Sequence, residues 1–227
     1  MTVFEVDIVF DFVCAWCYIG KRKLDRAIAL YQKTYPGGKN DVFSITWRPY
    51  YLGYNPLSHS IDKSLLAETK LSDMSPERRA ALTQRTEQIG RSVGINFKWG
   101  GKIGPDTRDA HHLVRIACAR SPEVTEILVE KLFEAYHELE RDISDREVLL
   151  DIAVGAGLDS AEVEGLLESG TDLSEVDEDE KRGREVSGGT GVPMFIIQGV
   201  HRLEGAQDSS DFYGAFVQVK ETETSAS

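Results

Sequence analysis

Strict alternation opens the chain. Phe4, Val6, Ile8, Phe10 and Phe12 fall on one face of the stretch 4–12, and Glu5, Asp7 and Asp11 fall on the other. A period of two built from β-branched and aromatic residues predicts a strand. The period then changes: Ile19, Leu24, Ala27, Ile28 and Tyr31 follow at helical spacing, and Pro36-Gly37-Gly38 ends that helix. Alternation returns over 42–48, with Phe43, Ile45 and Trp47 on one face. The opening therefore reads β–α–β.

From about Ser58 to Val186 helix starts recur and no strand pattern is found. Ser75-Pro76 and Ser121-Pro122 each place a capping hydroxyl before a proline in the first turn. Ser144-x-x-Glu147 and Asp159-x-x-Glu162 have the form of a capping box or a close relative of it. Ala110, Leu113, Val114 and Ala117 form an inward stripe on a helix over 107–119, and a longer helix is expected over 124–140. Past Gly188-Gly189-Thr190-Gly191, strands return at Met194–Gln198 and Val200–Leu203, joined around Gly199. A final helix is expected from about Ser209 to Val219, with a frayed tail after it.

The order β-α-β, helical block, β-β-α predicts an α/β fold interrupted by a large all-helical insertion. Residues 1–57 and 187–221 are expected to form one discontinuous domain, 58–186 the insertion, and 222–227 a flexible tail. The length of 227 residues suits one core plus an insertion better than two full cores.

With 41% hydrophobic and 28% charged residues the chain has a globular profile. A net charge of -12 repels phosphate backbones and anionic lipid, so nucleic acid and membranes are not expected partners. No stretch approaches the ~20 apolar residues of a membrane span. Met1 to Val9 carries Glu5 and Asp7 and no basic residue, unlike a secretory leader, so a cytoplasmic location is expected.

Chemistry concentrates at Cys14-Ala15-Trp16-Cys17, where the first strand hands over to the first helix. Residues i and i+3 share a helix face and lie within disulfide range. Cys14 falls where unpaired N–H groups and the helix dipole favour an anion, which makes it the nucleophile. Cys17, one turn in, suits the resolving role. The rival reading is half a zinc site, but Cys118 and five scattered histidines lack the spacing of a second ligand pair, so no metal is expected. Lys21, Arg22 and Lys23 read as a solvated helix face. Gly191-Val192-Pro193 precedes a strand, where proline is unusual. A cis Val192-Pro193 bond there would present the Val192 backbone to an extended chain; an ordinary trans proline is the other reading.

Together these stretches resemble the DsbA-like branch of the thioredoxin superfamily, and within it the FrnE-type subgroup. Asp11-Phe12-Val13-Cys14-Ala15-Trp16-Cys17-Tyr18-Ile19-Gly20-Lys21 is similar to that subgroup's D-x-x-C-P-W-C-Y-I-G-K signature. Thr107 to Leu113, Leu132 to Tyr136 with Asp142 to Asp145, and Gly191 to Phe195 with Gly205-Ala206-Gln207 resemble three further stretches of it. The resemblance runs from near Val6 to near Val217. It implies a thioredoxin-like domain with a helical insertion, a cis Val192-Pro193, and a redox-active Cys14/Cys17 disulfide with no tightly bound cofactor. It places glutathione, as a co-substrate, near Val192, Gln207, Asp208 and Ser209. Ala15 stands where the subgroup usually has proline, so the redox potential is not inherited.

Trp16 and Tyr18 are candidates for an apolar substrate rim. Asp11 is a candidate proton acceptor for Cys17, or a cap for the turn. His111 matches the family histidine and is a candidate to face the reactive pair; a structural role is the other reading. Cys118 reads as a buried inert thiol, His112 and Arg115 as surface residues, and Asp177 to Glu180 as a solvated acidic face. The leading function is thiol–disulfide exchange on protein or small-molecule substrates. The alternative is a glutathione-dependent isomerase or transferase resembling 2-hydroxychromene-2-carboxylate isomerase and the kappa-class transferases, which generally carry serine where Cys14 stands. A non-catalytic peptide-binding module is a third reading, and it gives no reason for the cysteine pair.

Overall fold

The computed structural model describes residues 1–168 and 173–225. The chain divides into two compact units, one of Met1–Tyr50 with Lys181–Ser227 and one of Tyr51–Glu180. The cuts fall at Tyr51 and Glu180, several residues before the boundaries at 58 and 186 that the pattern suggested. The later cut lies within a single helix, where the apolar periodicity has no break to mark it.

In the first unit, strand β1 (Val3–Phe10) leads into helix α1 (Ala15–Thr34) and strand β2 (Val42–Pro49). Its far half supplies β5 (Met194–Ile197), β6 (His201–Glu204) and α9 (Ser209–Ser225). The strands form one mixed sheet in the order β2-β1-β5-β6. β1 runs parallel to β2, with Val6 opposite Ile45, and antiparallel to β5, with Ile8 opposite Phe195. The alternation of β1 thus becomes one apolar sheet face. Phe4 lies at its centre, its ring 5.3 Å from Tyr31 of α1, 4.7 Å from Phe43 of β2 and 5.4 Å from Phe216 of α9. Edge-on and offset pairs of this kind add to the stabilisation from burial alone.

A buried Asp41 ties this unit together by accepting from the Thr2 N–H at 2.7 Å, Tyr31 Oη at 3.0 Å and Lys220 Nζ at 2.8 Å. Burial opposes its ionisation, but those donors outweigh it and hold the carboxyl below its usual range. Helix α9 continues through Ser225, well past the expected end at Val219; residues 226–227 lie outside those described.

The second unit holds α2 (Lys63–Lys70), α3 (Pro76–Ser92), α4 (Arg108–Arg120), α5 (Pro122–His137), α6 (Arg146–Gly155), α7 (Ser160–Glu168) and the first half of α8 (Ser174–Ser187). It also holds two strands the pattern did not predict, β3 (Ile61–Asp62) and β4 (Lys102–Ile103), paired antiparallel. Two residues are too few to show a period. The hydroxyls of Ser75 and Ser121 cap α3 and α5, accepting from Arg78 and Val124. For α6 the cap is Asp145 rather than Ser144: its carboxylate takes the N–H groups of Glu147 and Val148, while Ser144 turns back to Asp142.

The acidic run on α8 is not a solvated face. Asp177 accepts from Tyr51 Oη at 3.1 Å and pairs with Arg108 at 3.2 Å, Arg115 pairs with Glu175 and Asp179, and Glu180 is buried. A buried carboxylate persists where donors meet it, and here the Tyr51 N–H donates to Glu180 at 3.4 Å.

Candidate active site

Cys14 is the residue before the first turn of α1, with extended backbone (φ -89°, ψ 109°), so its side chain faces the helix start. Its own N–H donates to the Asp11 carbonyl at 3.1 Å, and its carbonyl accepts from Cys17 N at 3.0 Å and Tyr18 N at 3.3 Å. This tight turn places both sulfurs on one side of the helix. Both cysteines are free thiols and both are buried, Cys14 at 7% and Cys17 at 2% exposure.

The pair is electrostatically unequal. A hydrogen bond from Cys17 lowers the Cys14 thiol below its usual value; burial and the Asp11 charge work against it, and the backbone N–H groups of Cys17 and Trp16 work with it. Burial pushes the Cys17 thiol well above its usual value, and the neighbouring Cys14 adds to that. Cys14 is therefore the more readily ionised of the two thiols.

Across from Cys14 lies the loop before β5. Cys14 Sγ donates to the Val192 carbonyl at 3.8 Å, and the Val192–Pro193 peptide bond is cis. Pro193 is buried, and its carbonyl accepts from Gly205 N at 2.8 Å, which extends the β5–β6 ladder by one step. Gly191 has φ +103°, a conformation that glycine adopts freely. Helix α1 approaches this strand closely because residue 20 is glycine. A Cβ there would stand 2.9 Å from the Phe195 ring and 3.3 Å from Pro193.

The remaining candidates fall in different places. Trp16 is partly exposed at the helix start, whereas Tyr18 is fully buried, its Oη accepting from Arg22 at 3.0 Å, and so is no part of a rim. Asp11 is buried, and its charge opposes ionisation of both thiols. Gln207, Asp208 and Ser209 lie where β6 passes into α9 and are engaged with Glu204 and Lys23 rather than with the thiols. Asp208 pairs with Lys23 Nζ at 2.7 Å, and Ser209 Oγ donates to the Lys23 carbonyl at 2.9 Å. Lys21 is buried and paired with Asp25 at 3.0 Å, so the basic run is not a solvated face.

His111 lies on α4 in the second unit, buried, with its ring 5.9 Å from that of Tyr51. His112 is buried too, which corrects its reading as a surface residue. Cys118 is exposed, which corrects its reading as a buried thiol: it occupies the last turn of α4, where the stripe that begins at Ala110 ends at Ala117. Sequence reasoning assigned no role to Gly20. Its signal was the absence of a side chain on a helix face that otherwise packs.

Residues 5–217 match the model of the DSBA-like thioredoxin domain. The chain belongs to that family. It is similar to the uncharacterized protein YwbO of Bacillus subtilis, 25% identical over 203 residues, which is 87% of this chain and 88% of that one. Among solved structures it is similar to a probable DsbA oxidoreductase from Streptomyces coelicolor, with 28% identity, a TM-score of 0.80, and 95% of this chain and 89% of that chain covered. The cytosolic disulfide reductase DsbM of Pseudomonas aeruginosa, in a structure with GSH, shares the fold at 17% identity and a TM-score of 0.58, over 95% of this chain and 99% of that one. The α/β architecture with a helical insertion is thus a DsbA-like thioredoxin fold. Among the described residues no helix is long and apolar enough to cross a membrane.

Proposed function

We propose that this protein is a dithiol–disulfide oxidoreductase in which Cys14 attacks and Cys17 resolves. The observation that carries the reading is geometric: two buried free thiols lie one turn apart at the start of α1, with Cys14 Sγ 3.8 Å from the Val192 carbonyl beside the cis Val192–Pro193 bond. Family membership supports disulfide oxidoreductase activity in general.

In the reducing direction the Cys14 thiolate attacks one sulfur of a substrate disulfide. A mixed disulfide forms, and the other substrate sulfur leaves as a thiolate. Cys17 then loses its proton and attacks Cys14 Sγ. The second substrate sulfur leaves with the electron pair, and the enzyme is left with a Cys14–Cys17 disulfide. Oxidation of a substrate dithiol is the same sequence reversed. Asp11, buried beside both thiols, is the proton acceptor in the resolving step. Trp16, Val192 and Pro193 form the edge that receives substrate, with Gln207, Asp208 and Ser209 at its far end. Glutathione is the small-thiol co-substrate, and protein disulfides are the larger one. That a relative sharing the fold is known in a structure with GSH supports this choice.

The deciding experiment is the redox equilibrium of the protein in glutathione buffers, with Cys14→Ser as control. The expected result is a reversible two-electron couple that vanishes in the variant. Absence of a couple, with glutathione still binding to the variant, would favour the isomerase or transferase reading.

A further inference from the structure

Helices α3 and α7 both belong to the second unit, and their outward faces are opposite in character. Of the 17 residues of α3 only Thr86 and Gly90 are buried. Helices in proteins draw most of their stability from packing an apolar stripe, yet the first half of α3 buries nothing. Arg78, Ala81, Leu82 and Arg85 stand at i, i+3, i+4 and i+7 on one exposed face, with Leu82 42% exposed between the two arginines. Among the described residues no carboxylate pairs with either guanidinium, whereas Arg91 further along the helix meets Glu87 at 3.5 Å.

Helix α7 shows the reverse pattern. It buries Val163 and Leu167 and leaves Ala161, Glu164, Gly165 and Glu168 exposed at the same i, i+3, i+4, i+7 spacing. A Cβ added at Gly165 would meet nothing within 4 Å, so the face is shallow and open there. One helix thus offers an apolar knob between two cations, and the other a shallow seat beside two carboxylates. The contrast extends past these residues. Lys63 to Lys102 carries eight basic and four acidic residues, and Asp159 to Glu168 carries four acidic and none basic, in a chain of net charge -12. Two copies of so acidic a chain repel at a distance. A stable contact between them has to set the basic segment of one against an acidic face of the other.

We propose that α3 of one copy docks on α7 of a second copy, and the reverse, in a two-fold dimer where Leu82 enters the shallow face at Ala161 and Gly165 while Arg78 and Arg85 pair with Glu164 and Glu168. Each copy carries both faces, so the contact is made twice and closes, with neither face left for a third copy. The exposed face of α3 alone would suit any anionic surface. The matched spacing on α7 is what selects a second copy of this chain.

The test is the solution mass of the full-length protein, read by sedimentation over a dilution series. The wild type is expected as a dimer, at about twice 25.3 kDa. Arg78→Glu with Arg85→Glu makes both faces acidic, and Glu164→Lys with Glu168→Lys makes both basic. Each double variant alone is expected to dissociate, its dissociation constant raised at least about a hundredfold. Mixed in equal amounts, the two variants set unlike faces together at both contacts, and a mixed dimer is expected to form. That recovery also shows that both variants are folded. If either precipitates, Arg85→Gln and Glu168→Gln replace them, each expected to weaken the wild-type dimer about threefold. A monomeric wild type overturns the proposal, even if anionic vesicles bind α3. So does a dimer that these substitutions leave intact, and so do two folded reversal variants that stay monomeric when mixed.

Discussion

Cys14 stands before the first turn of α1, and Cys118 stands in the last turn of α4. The exposed one is the one whose thiol is raised. Cys118 is open to solvent as a residue, yet local burial raises its thiol above the usual value despite a hydrogen bond from Thr125, and the negative end of a helix adds nothing to help an anion. Cys14 is buried, yet its thiol is lowered by a hydrogen bond from Cys17 and by two backbone N–H groups. Donor geometry, rather than access, separates the two.

The sharpest way to break this comparison is substitution. Cys14→Ser is expected to lower thiol-linked insulin reduction at least about a hundredfold, while Cys118→Ser changes it less than about twofold. Comparable losses in the two variants would remove the distinction. Cys17→Ser is expected to stop turnover and leave substrate attached to Cys14 as a mixed disulfide, seen as added mass that dithiothreitol releases. A mixed disulfide on Cys118 instead would reverse the assignment.

Ionisation sharpens the same contrast. The iodoacetamide rate at Cys14 should reach its half-maximum below pH 9 and that at Cys118 above it, since one thiol is lowered from 9.0 and the other raised. Site-resolved mass spectrometry from pH 6 to about 10 reads both curves, at roughly tenfold different rates near neutrality.

Packing behind the site gives a smaller effect. Gly20→Ala places a methyl group 2.9 Å from the fully buried Phe195 ring, so the ring or the helix must shift. It should lower stability by about 1–3 kcal/mol in urea titrations. A neutral result would mean that α1 is free to shift off β5.

The smallest effect concerns Lys63, at the start of α2. Burial lowers its ammonium from 10.5 to about 8; the Glu140 and Asp142 charges oppose the shift, and Nζ donates to the Tyr136 carbonyl in the last turn of α5. Its folded value lies below its unfolded one, so between pH 8 and 10.5 the unfolded chain binds more protons and Lys63 makes stability rise with pH. Lys63→Met should flatten that part of the profile, visible as a smaller difference between urea midpoints at pH 8 and pH 10.

Much of the fold was legible because its periods were long enough to read. β1 and β2 run eight residues each and α1 twenty, and the handover between β1 and α1 put Cys14 and Cys17 at a helix start directly. β3 and β4, at two residues each, are set by pairing with each other and leave no pattern. Asp41, Lys21 and Glu180 are ionisable residues buried beside partners distant in sequence or one turn away, and composition assigns such residues to the surface. The hydrogen bond from Cys14 to Val192 spans 178 positions, so the sequence could suggest both ends but not their meeting.

The reactive unit is assembled from the two ends of the chain, with β1 held between β2 and β5. On the ribosome, Cys14 and Cys17 emerge early and Val192 emerges late. At ~5–20 residues per second the interval is roughly nine to thirty-six seconds. Throughout it the nascent chain carries its cysteine pair without the strand that completes the sheet, and the helical unit is made in between. The Val192 carbonyl to which Cys14 donates is therefore missing until the segment before β5 has been made, and until then the nascent polypeptide presents its cysteine pair without that partner.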